Sequence, residues 1–558
     1  MKASRIIIVS VSAIVLVIGL FMILNKATSS YAIASTVLVV DSVIDAVDEN
    51  PGDGICETAA GECTLRAAIQ ESNALSGTDT IFIPSGIYTR TIGGISGNDS
   101  MGDLNIVDDV NIIGEARDTT IIDANLLDRV FYVGNMANAN ISKITLKRGS
   151  TLGIGAGIYI ESGASATIDD VVIIENIGGS GAGIEARGPL TVTNSLIADN
   201  QALGGNSGGG IVGFDTTIKI INTTIRGNTT TSRGAGIFLQ EPGSAELTNV
   251  TISGNESDSE GGGITNLGMK LLLVNVTISG NRSVEGGAGV DNHGVITITN
   301  STIFGNQSVN STGGLYNNPI NNGSIKVENT IVAENDGGDC GGTVSTIVSL
   351  GNNIISDTTC NFTENGDLPN TDPLLDTLQD NGGTTLTHAL LSGSPAIDNG
   401  KNENCPDNDQ RGYPRPLDGN GDNISKCDIG AVESGSFVII NDIDIVEGDD
   451  SEITATFTIT LTGITSQNIM ITYHTESESA ISGVDFVPYA GILELFPGQI
   501  TGTISISIIG DTKYEADETF SVYLDDAQNT NIVDMRGVCT ILNDDEPYLV
   551  FLPFVKKE

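Results

Sequence analysis

The chain is predicted to be all-β, a solenoid of short strands followed by a β-sandwich, and three observations lead there. Gly accounts for 69 residues, Trp is absent and only 17% of residues are charged, a composition that suits short strands and turns rather than helices. Through the middle of the chain two sequence markers recur in phase every 25 to 28 residues. From Ser436 onward that period stops, and alternating apolar and polar positions take over.

At 558 residues the chain exceeds one ordinary domain, so two or three folding units are expected. Its 25 Lys+Arg against 70 Asp+Glu give a formal charge of −45, which excludes nucleic acid as a partner. A surface this acidic either keeps an exported protein soluble or collects divalent cations, and the positions of the carboxylates decide which.

Residues 1–34 carry Lys2 and Arg5, an uncharged run from Ile6 to Leu24, and the small-residue stretch Ala32-Ile33-Ala34. This reads as an export signal. The run is long for a cleaved peptide and just long enough to span a bilayer, so cleavage after Ala34 and retention as a membrane anchor both stand. Residues 35–79 form a capping unit, because Leu65, Ala68 and Ile69 follow Thr64, an N-cap residue, at helical spacing. An open solenoid end needs such a cover. Export fits the cysteines, whose spacing suggests local disulfides Cys56 with Cys63, Cys340 with Cys360 and Cys405 with Cys427, leaving Cys539; spacing does not fix the connectivity.

The repeat is clearest at two asparagines per copy. One falls at 194, 222, 249, 275 and 300, the other at 200, 228, 255, 281 and 306, with weaker copies at Asp170 and Asn176 before and at Asn329 and Asn335 after. The second marker is Gly157, Gly183, Gly210, Gly236, Gly263, Gly289 and Gly314, each followed by Ile, Val or Leu. One coil per repeat follows. The first asparagine of each copy sits among β-formers and suits a left-handed corner, where stacked amides form a ladder. The variable segments between the second asparagine and the next glycine are edge loops, where function is normally placed.

These repeats resemble the right-handed parallel β-helices of bacterial surface proteins and pectin-degrading enzymes, over residues 80–400. Gly54, Cys56, Cys63, Thr64, Leu65, Arg66 and Ala68 look like the CSLREA module that precedes such helices, with Thr64 where Ser is usual and Ala67 where Glu is usual. Asn381 to His388, Ser394 to Asp398, Asp409 to Gly412 and Cys427 to Glu433 resemble the closing coils of the same family. Residues 401–435 are similar to the part of that family called the choice-of-anchor region, a resemblance that implies display at the cell surface.

In residues 436–546, strands are expected at Ala455 to Leu461, Ile469 to His474, Thr501 to Ile509 and Phe520 to Leu524. Carboxylates collect between them. Glu447 flanks the first strand, Asp485 lies in a loop, Asp511, Glu515 and Glu518 surround one turn, and Asp544 and Asp545 end the last strand. If they meet at one end, their repulsion favours a cation, and calcium accepts six to eight oxygens in flexible geometry. Val446-Glu447-Gly448, Gly483 to Phe486, Phe496 to Gly498, Ile508 to Asp511, Glu515 to Phe520 and Ile541 to Asp545 resemble the successive motifs of an immunoglobulin-like Calx-β domain. The resemblance implies that those seven carboxylates are calcium ligands. Gly510 and Asn543 replace aspartates usual in calcium-binding members, which implies one or two weaker sites.

Asp418, Asn420 and Asp422 resemble half of a calcium loop and lack the closing Glu; Asp48 to Asp53 is a weaker copy. Residues 547–558 are an apolar tail closed by Lys556, Lys557 and Glu558, read either as a cell-envelope anchor or as a further strand. The resulting expectation is an exported, calcium-stabilised surface or adhesion protein, non-catalytic, with extracellular glycan or surface protein as partner. The alternative is a β-helical polysaccharide lyase or glycoside hydrolase. For that, only Asp169-Asp170 and Asp291-Asn292-His293 offer acid–base groups, and about four coils separate them.

Overall fold

The computed structural model describes residues 35–94, 101–205, 208–318, 323–422, 424–449, 452–463 and 467–545; the export segment and the apolar tail lie outside them. Among the described residues no helix is long and apolar enough to cross a membrane.

Each repeat closes into one coil of a β-solenoid of about 10 turns. Ile158–Ile160, Ser165–Asp169 and Val172–Ile174 make one coil, and each pairs in parallel with its counterpart in the next, Ile158 with Ile184, Ala166 with Leu190 and Val172 with Leu196. Short strands such as Gln201–Ala202 and Thr229–Thr230 add a smaller sheet of six along one edge. Because these strands stay in register from coil to coil, like stacks on like: Ile158, Ile184, Ile211, Ile237, Ile264, Val290 and Leu315 are all fully buried in one column. Burying each such side chain contributes about 1.5–3 kcal/mol.

The corner asparagines behave as expected. Asn194, Asn222, Asn249, Asn275, Asn300 and Asn329 all have φ between 45 and 56°, and their amides bridge Asn222 to Asn194, Asn249 to Asn222 and Asn275 to Asn249 at 3.1–3.2 Å. This ladder is partly open to solvent, and it is interrupted after Asn275, because the Asn300 amide turns to Cys427 Sγ; a long rung at 3.5 Å from Asn329 to Asn300 follows. The deeper ladder is the other asparagine column. Asn176, Asn200, Asn228, Asn255, Asn281, Asn306 and Asn335 bridge one another at 2.8–3.0 Å, and all but Asn335 are fully buried. Each amide from Asn200 on also donates to a backbone carbonyl, Asn255 to that of Ile225 at 3.1 Å.

That inner ladder explains the glycine column. A Cβ on Gly236 would lie 2.6 Å from the Gly263 carbonyl oxygen and 3.1 Å from Asn255 Nδ2, and Gly183, Gly210 and Gly263 face the same obstacle. Room, not backbone freedom, demands glycine there. Gly236→Ala is therefore expected to cost about 1–3 kcal/mol by overpacking. Gly254→Asn should cost less, since its φ of 60° is one asparagine tolerates and a Cβ there meets nothing within 4 Å. Urea denaturation of the two variants checks the difference.

A short helix lies over the N-terminal coils. Helix α1, Leu65–Ala74, starts at Thr64, whose hydroxyl accepts from Ala67 N at 3.1 Å, and the Cys56–Cys63 disulfide pins the preceding loop. Leu65, Ala68 and Ile69 are buried over the first coils, and Arg66 is buried against Asp45 at 2.7 Å.

The far end differs from the expectation of further closing coils. The last parallel pairing joins Ile354–Ile355 to Leu368–Pro369, and the chain then turns back along the corner column as an irregular strap. Cys340–Cys360 staples the final coils, and Cys405–Cys427 lies in the strap. Gln410, 1% exposed, accepts from Thr277 Oγ1 at 2.6 Å and donates to Thr251 Oγ1 at 2.8 Å. His388 Nε2 meets Ser279 Oγ at 2.9 Å, Asn275 donates to the Asn408 carbonyl at 2.8 Å, and Ala431 N donates to Thr302 Oγ1 at 3.1 Å. The expectation failed because the motifs of this segment specify its own buried braces rather than coils. Asp409 holds Arg411 at 2.7 Å, and Glu433 accepts from Leu417 N and Asp428 N at 2.8 and 2.9 Å. Burial pushes the Glu433 carboxyl up to about 7, although Arg415 opposes it.

After residue 436 two sheets face each other. Thr501–Ile509, Glu452–Thr462, Phe437–Ile440 and Asn531–Ile532 form one; Ile443–Val446, Arg536–Leu542, Glu518–Gln528, Ile469–Ser477 and Ala490–Leu495 form the other. Phe486 stacks on Phe520 at 4.3 Å, with Phe457 against its edge, in a core that also encloses the free Cys539. Burial pushes that thiol up to about 12.

Candidate metal centre

Strand pairing brings the carboxylates together. Ile443–Val446 runs parallel to Arg536–Leu542 with Val446 opposite Leu542, so Glu447 emerges beside Asn543 and Asp544. Glu452 pairs with Ile509 and Glu518 with Ile541, which brings the loop carrying Asp511 and Glu515 to the same end. Asp485 arrives from the loop after Ile469–Ser477, where the Ile509 amide donates to its carbonyl at 2.9 Å.

Two carboxylate trios result. Glu447, Asp511 and Glu515 offer oxygens within 4.8 Å of one another, as do Asp485, Glu515 and Glu518, so Glu515 belongs to both. Glu447 and Asp485 are the buried members, 5% and 6% exposed. Burial, reinforced by Asp511, Asp545, Asp485 and Asp544, pushes the Glu447 carboxyl up to about 7. Glu518 is raised by burial and by Asp485, and Asp545 by burial and by Asp449, Asp544 and Asp511. Groups that resist ionising beside one another mark a place that favours a cation. Among the described residues the nearest basic group is Lys513, ion-paired with Glu515.

All seven expected residues lie at this end, in unequal roles. Asp544 Oδ1 accepts from Gly448 N at 3.0 Å and Asp485 Oδ2 from Ile481 N at 2.6 Å, so each also braces a loop. Asp545 stands outside both trios, and its Oδ2 has no hydrogen-bond partner among the described residues. The two departures from the family pattern have physical reasons. A Cβ at Gly510 would lie 2.1 Å from the Gly448 carbonyl oxygen, which leaves no room for an aspartate on this backbone. Asn543 accepts from Glu515 N at 2.9 Å and donates to the Asp545 carbonyl at 3.0 Å, bracing both liganding loops with an amide that carries no charge. Sequence reasoning missed Lys513 and also Asp517, which accepts from Asn543 N at 3.1 Å; their place within the acidic turn was the available signal.

The weaker loops are turned on themselves. Asp418 accepts from Gly421 N at 2.7 Å, Asn420 from Asp422 N at 2.9 Å and Asp422 from Ile424 N at 2.8 Å, as in ordinary Asx turns. Asp48 and Asp53 do the same with Asn50 N and Ile55 N. Asp169 accepts from Asn194 at 2.8 Å, and Asp170 pairs with Arg117 at 3.0 Å, so both brace a coil corner.

Fold and site together define an immunoglobulin-like sandwich whose acidic end has the donor chemistry of a calcium-binding module. Residues 441–546 match the family described as the Calx-beta domain, a known calcium-binding module. Among solved structures, the apo-form Calx CBD1 domain is similar at 24% identity with a TM-score of 0.19, covering 20% of this chain and 100% of that one. CBD12 from CALX1.2 is similar at 25% identity with a TM-score of 0.19, covering 20% of this chain and 46% of that one. The calcium binding domain CBD12 of CALX1.1 follows at 25% and 0.18, covering 19% and 46%. No curated protein matches the chain.

Proposed function

We propose that this chain is an exported cell-surface protein of structural or adhesion type, in which the solenoid offers edge loops to extracellular glycan or protein surfaces and the sandwich is a calcium-stabilised module. The observation that carries the reading is the pair of carboxylate trios sharing Glu515, with Glu447 and Asp485 buried among them. All the donors are hard oxygens, which suits calcium at two adjoining weak positions. Glu447, Asp511 and Glu515 hold one, Asp485, Glu515 and Glu518 the other, and Asp544 and Asp545 neutralise the pair. The basic–apolar N-terminal segment, the CSLREA-like cap and the choice-of-anchor-like strap support export and display, and the acidic surface suits solubility outside the cell.

Calcium that binds only the folded sandwich stabilises it by about 2.7 kcal/mol at a hundredfold excess over Kd. Calorimetric melting of the whole chain in millimolar calcium should therefore show one transition moving up relative to chelator, while the solenoid transition stays in place. Identical melting in the two conditions, together with no heat of calcium binding, would overturn the assignment.

A further inference from the structure

The solenoid carries a second constellation, away from the acidic end of the sandwich. In the strand Val290–Asn292 the side chains alternate, and Val290 and Asn292 are fully buried. Asn292 donates to Asn317 at 2.6 Å and accepts from Asn266 at 2.9 Å, which anchors the backbone on either side of it. Asp291 and His293, one residue before and one after, therefore share the opposite side. Asp291 is nevertheless 1% exposed, and Glu260 from the preceding coil reaches it.

Glu260, Asp291 and His293 present donor atoms within 4.8 Å of one another, and His293 Nε2 lies 3.1 Å from Asp291 Oδ2. The other carboxylate oxygen of this buried residue, Oδ1, has no hydrogen-bond partner among the described residues. Gly286 leaves the space beside it: a Cβ there would stand 2.9 Å from Asp291 Oδ1 and 3.2 Å from Glu260 Cβ, so Oδ1 faces the side where Glu260 lies. Arg233 meets Glu260 Oε2 at 2.9 Å, leaving Asp291 to the imidazole.

A buried carboxylate oxygen without a donor is costly unless a cation completes it. We propose that Glu260, Asp291 and His293 form a binding site for a divalent transition ion of the zinc class. One imidazole nitrogen with two carboxylates suits such an ion and not calcium, which takes oxygen donors. Two donors at about 2.0–2.1 Å from a tetrahedral ion stand roughly 3.3 Å apart, close to the existing His293–Asp291 separation. With three protein ligands, one position stays open to water or to an anionic group on a partner. The ion would take the place of the proton at His293 Nε2, so uptake falls in acid as that proton competes.

The test uses the whole, metal-stripped chain in millimolar calcium, which saturates the sandwich, titrated with Zn²⁺ and separately with Co²⁺ as a visible-absorbing probe. One zinc per chain is expected at this site, with His293→Ala and Asp291→Asn each weakening it roughly tenfold or more. Glu447→Gln should leave it unchanged, as should His474→Ala, which removes the exposed imidazole paired with Asp525 at 2.8 Å. Should Asp291→Asn lower the melting temperature in chelator, Glu260→Gln, at a half-buried position, serves instead. Absence of zinc uptake, uptake unchanged in His293→Ala and Glu260→Gln, or loss of uptake in Glu447→Gln would each overturn the site.

Discussion

Replacing Asn255 with leucine should destabilise the solenoid by at least about 3 kcal/mol, among the largest effects expected of a single substitution in the coils. Three buried groups lose their partner at once: the backbone N–H and the side-chain amide of Asn228, both held by Asn255 Oδ1 at 3.0 Å, and the Ile225 carbonyl, held at 3.1 Å. Each orphaned group costs about 1–3 kcal/mol. The new methyls would also press on Gly236, whose hydrogens already face that amide. Asn222→Gly is the contrasting variant. It removes two rungs of the partly exposed corner ladder, at 3.2 and 3.1 Å, while keeping a residue comfortable at φ 49°, and should cost no more than about 2 kcal/mol. Urea denaturation of the two proteins decides between the ladders; equal stabilities would mean that the inner column is not the structural spine.

Glu447→Gln should abolish most of the calcium-induced stabilisation while leaving the metal-free sandwich as stable as before or more so. Its carboxyl is raised to about 7 without metal, so the metal-free domain loses stability as pH rises from the ordinary carboxylate range through about 7. An amide at this position removes both that loss and a central charged ligand. The melting temperature of the variant in chelator should accordingly vary less between pH 5 and 8 than that of the wild type, and millimolar calcium should move it little. Asp545→Asn, outside both trios, should lose less of the calcium effect. A variant that keeps the full calcium shift would remove Glu447 from the ligand set.

Much of this architecture was legible because solenoids repeat. The in-phase asparagines and glycines marked each coil, Thr64 marked the start of α1, and cysteine spacing anticipated three local disulfides. What the period left open was which asparagine column lies deeper. Both columns recur equally, and only the close approach of Gly236 to the Gly263 carbonyl reveals which side has no room. The strap was misjudged for the opposite reason. Its contacts, such as Gln410 with Thr251 and Thr277, span more than 130 residues and carry no local periodicity. At the acidic end of the sandwich the ligand types were readable, whereas the sharing of Glu515 and the crowding at Gly510 depend on backbone approach. Glu260 joins Asp291 and His293 only through stacking of adjacent coils, a neighbourhood invisible along the chain.

The strap has a mechanical consequence. Were the sandwich joined directly to the last coil, a pull on the C-terminal end would peel coils off one rung at a time, starting at Leu368–Pro369. Instead the chain leaves for the sandwich at residue 436, just after a segment fastened to the flank, where Gly430 N bonds the Asn329 carbonyl and Ala431 N bonds Thr302. Tension therefore enters partway along the rod, at these bonds and at the Lys401 contact with Asn329. A protein tethered at one end and gripped at the other would resist detachment through its side rather than through its tip.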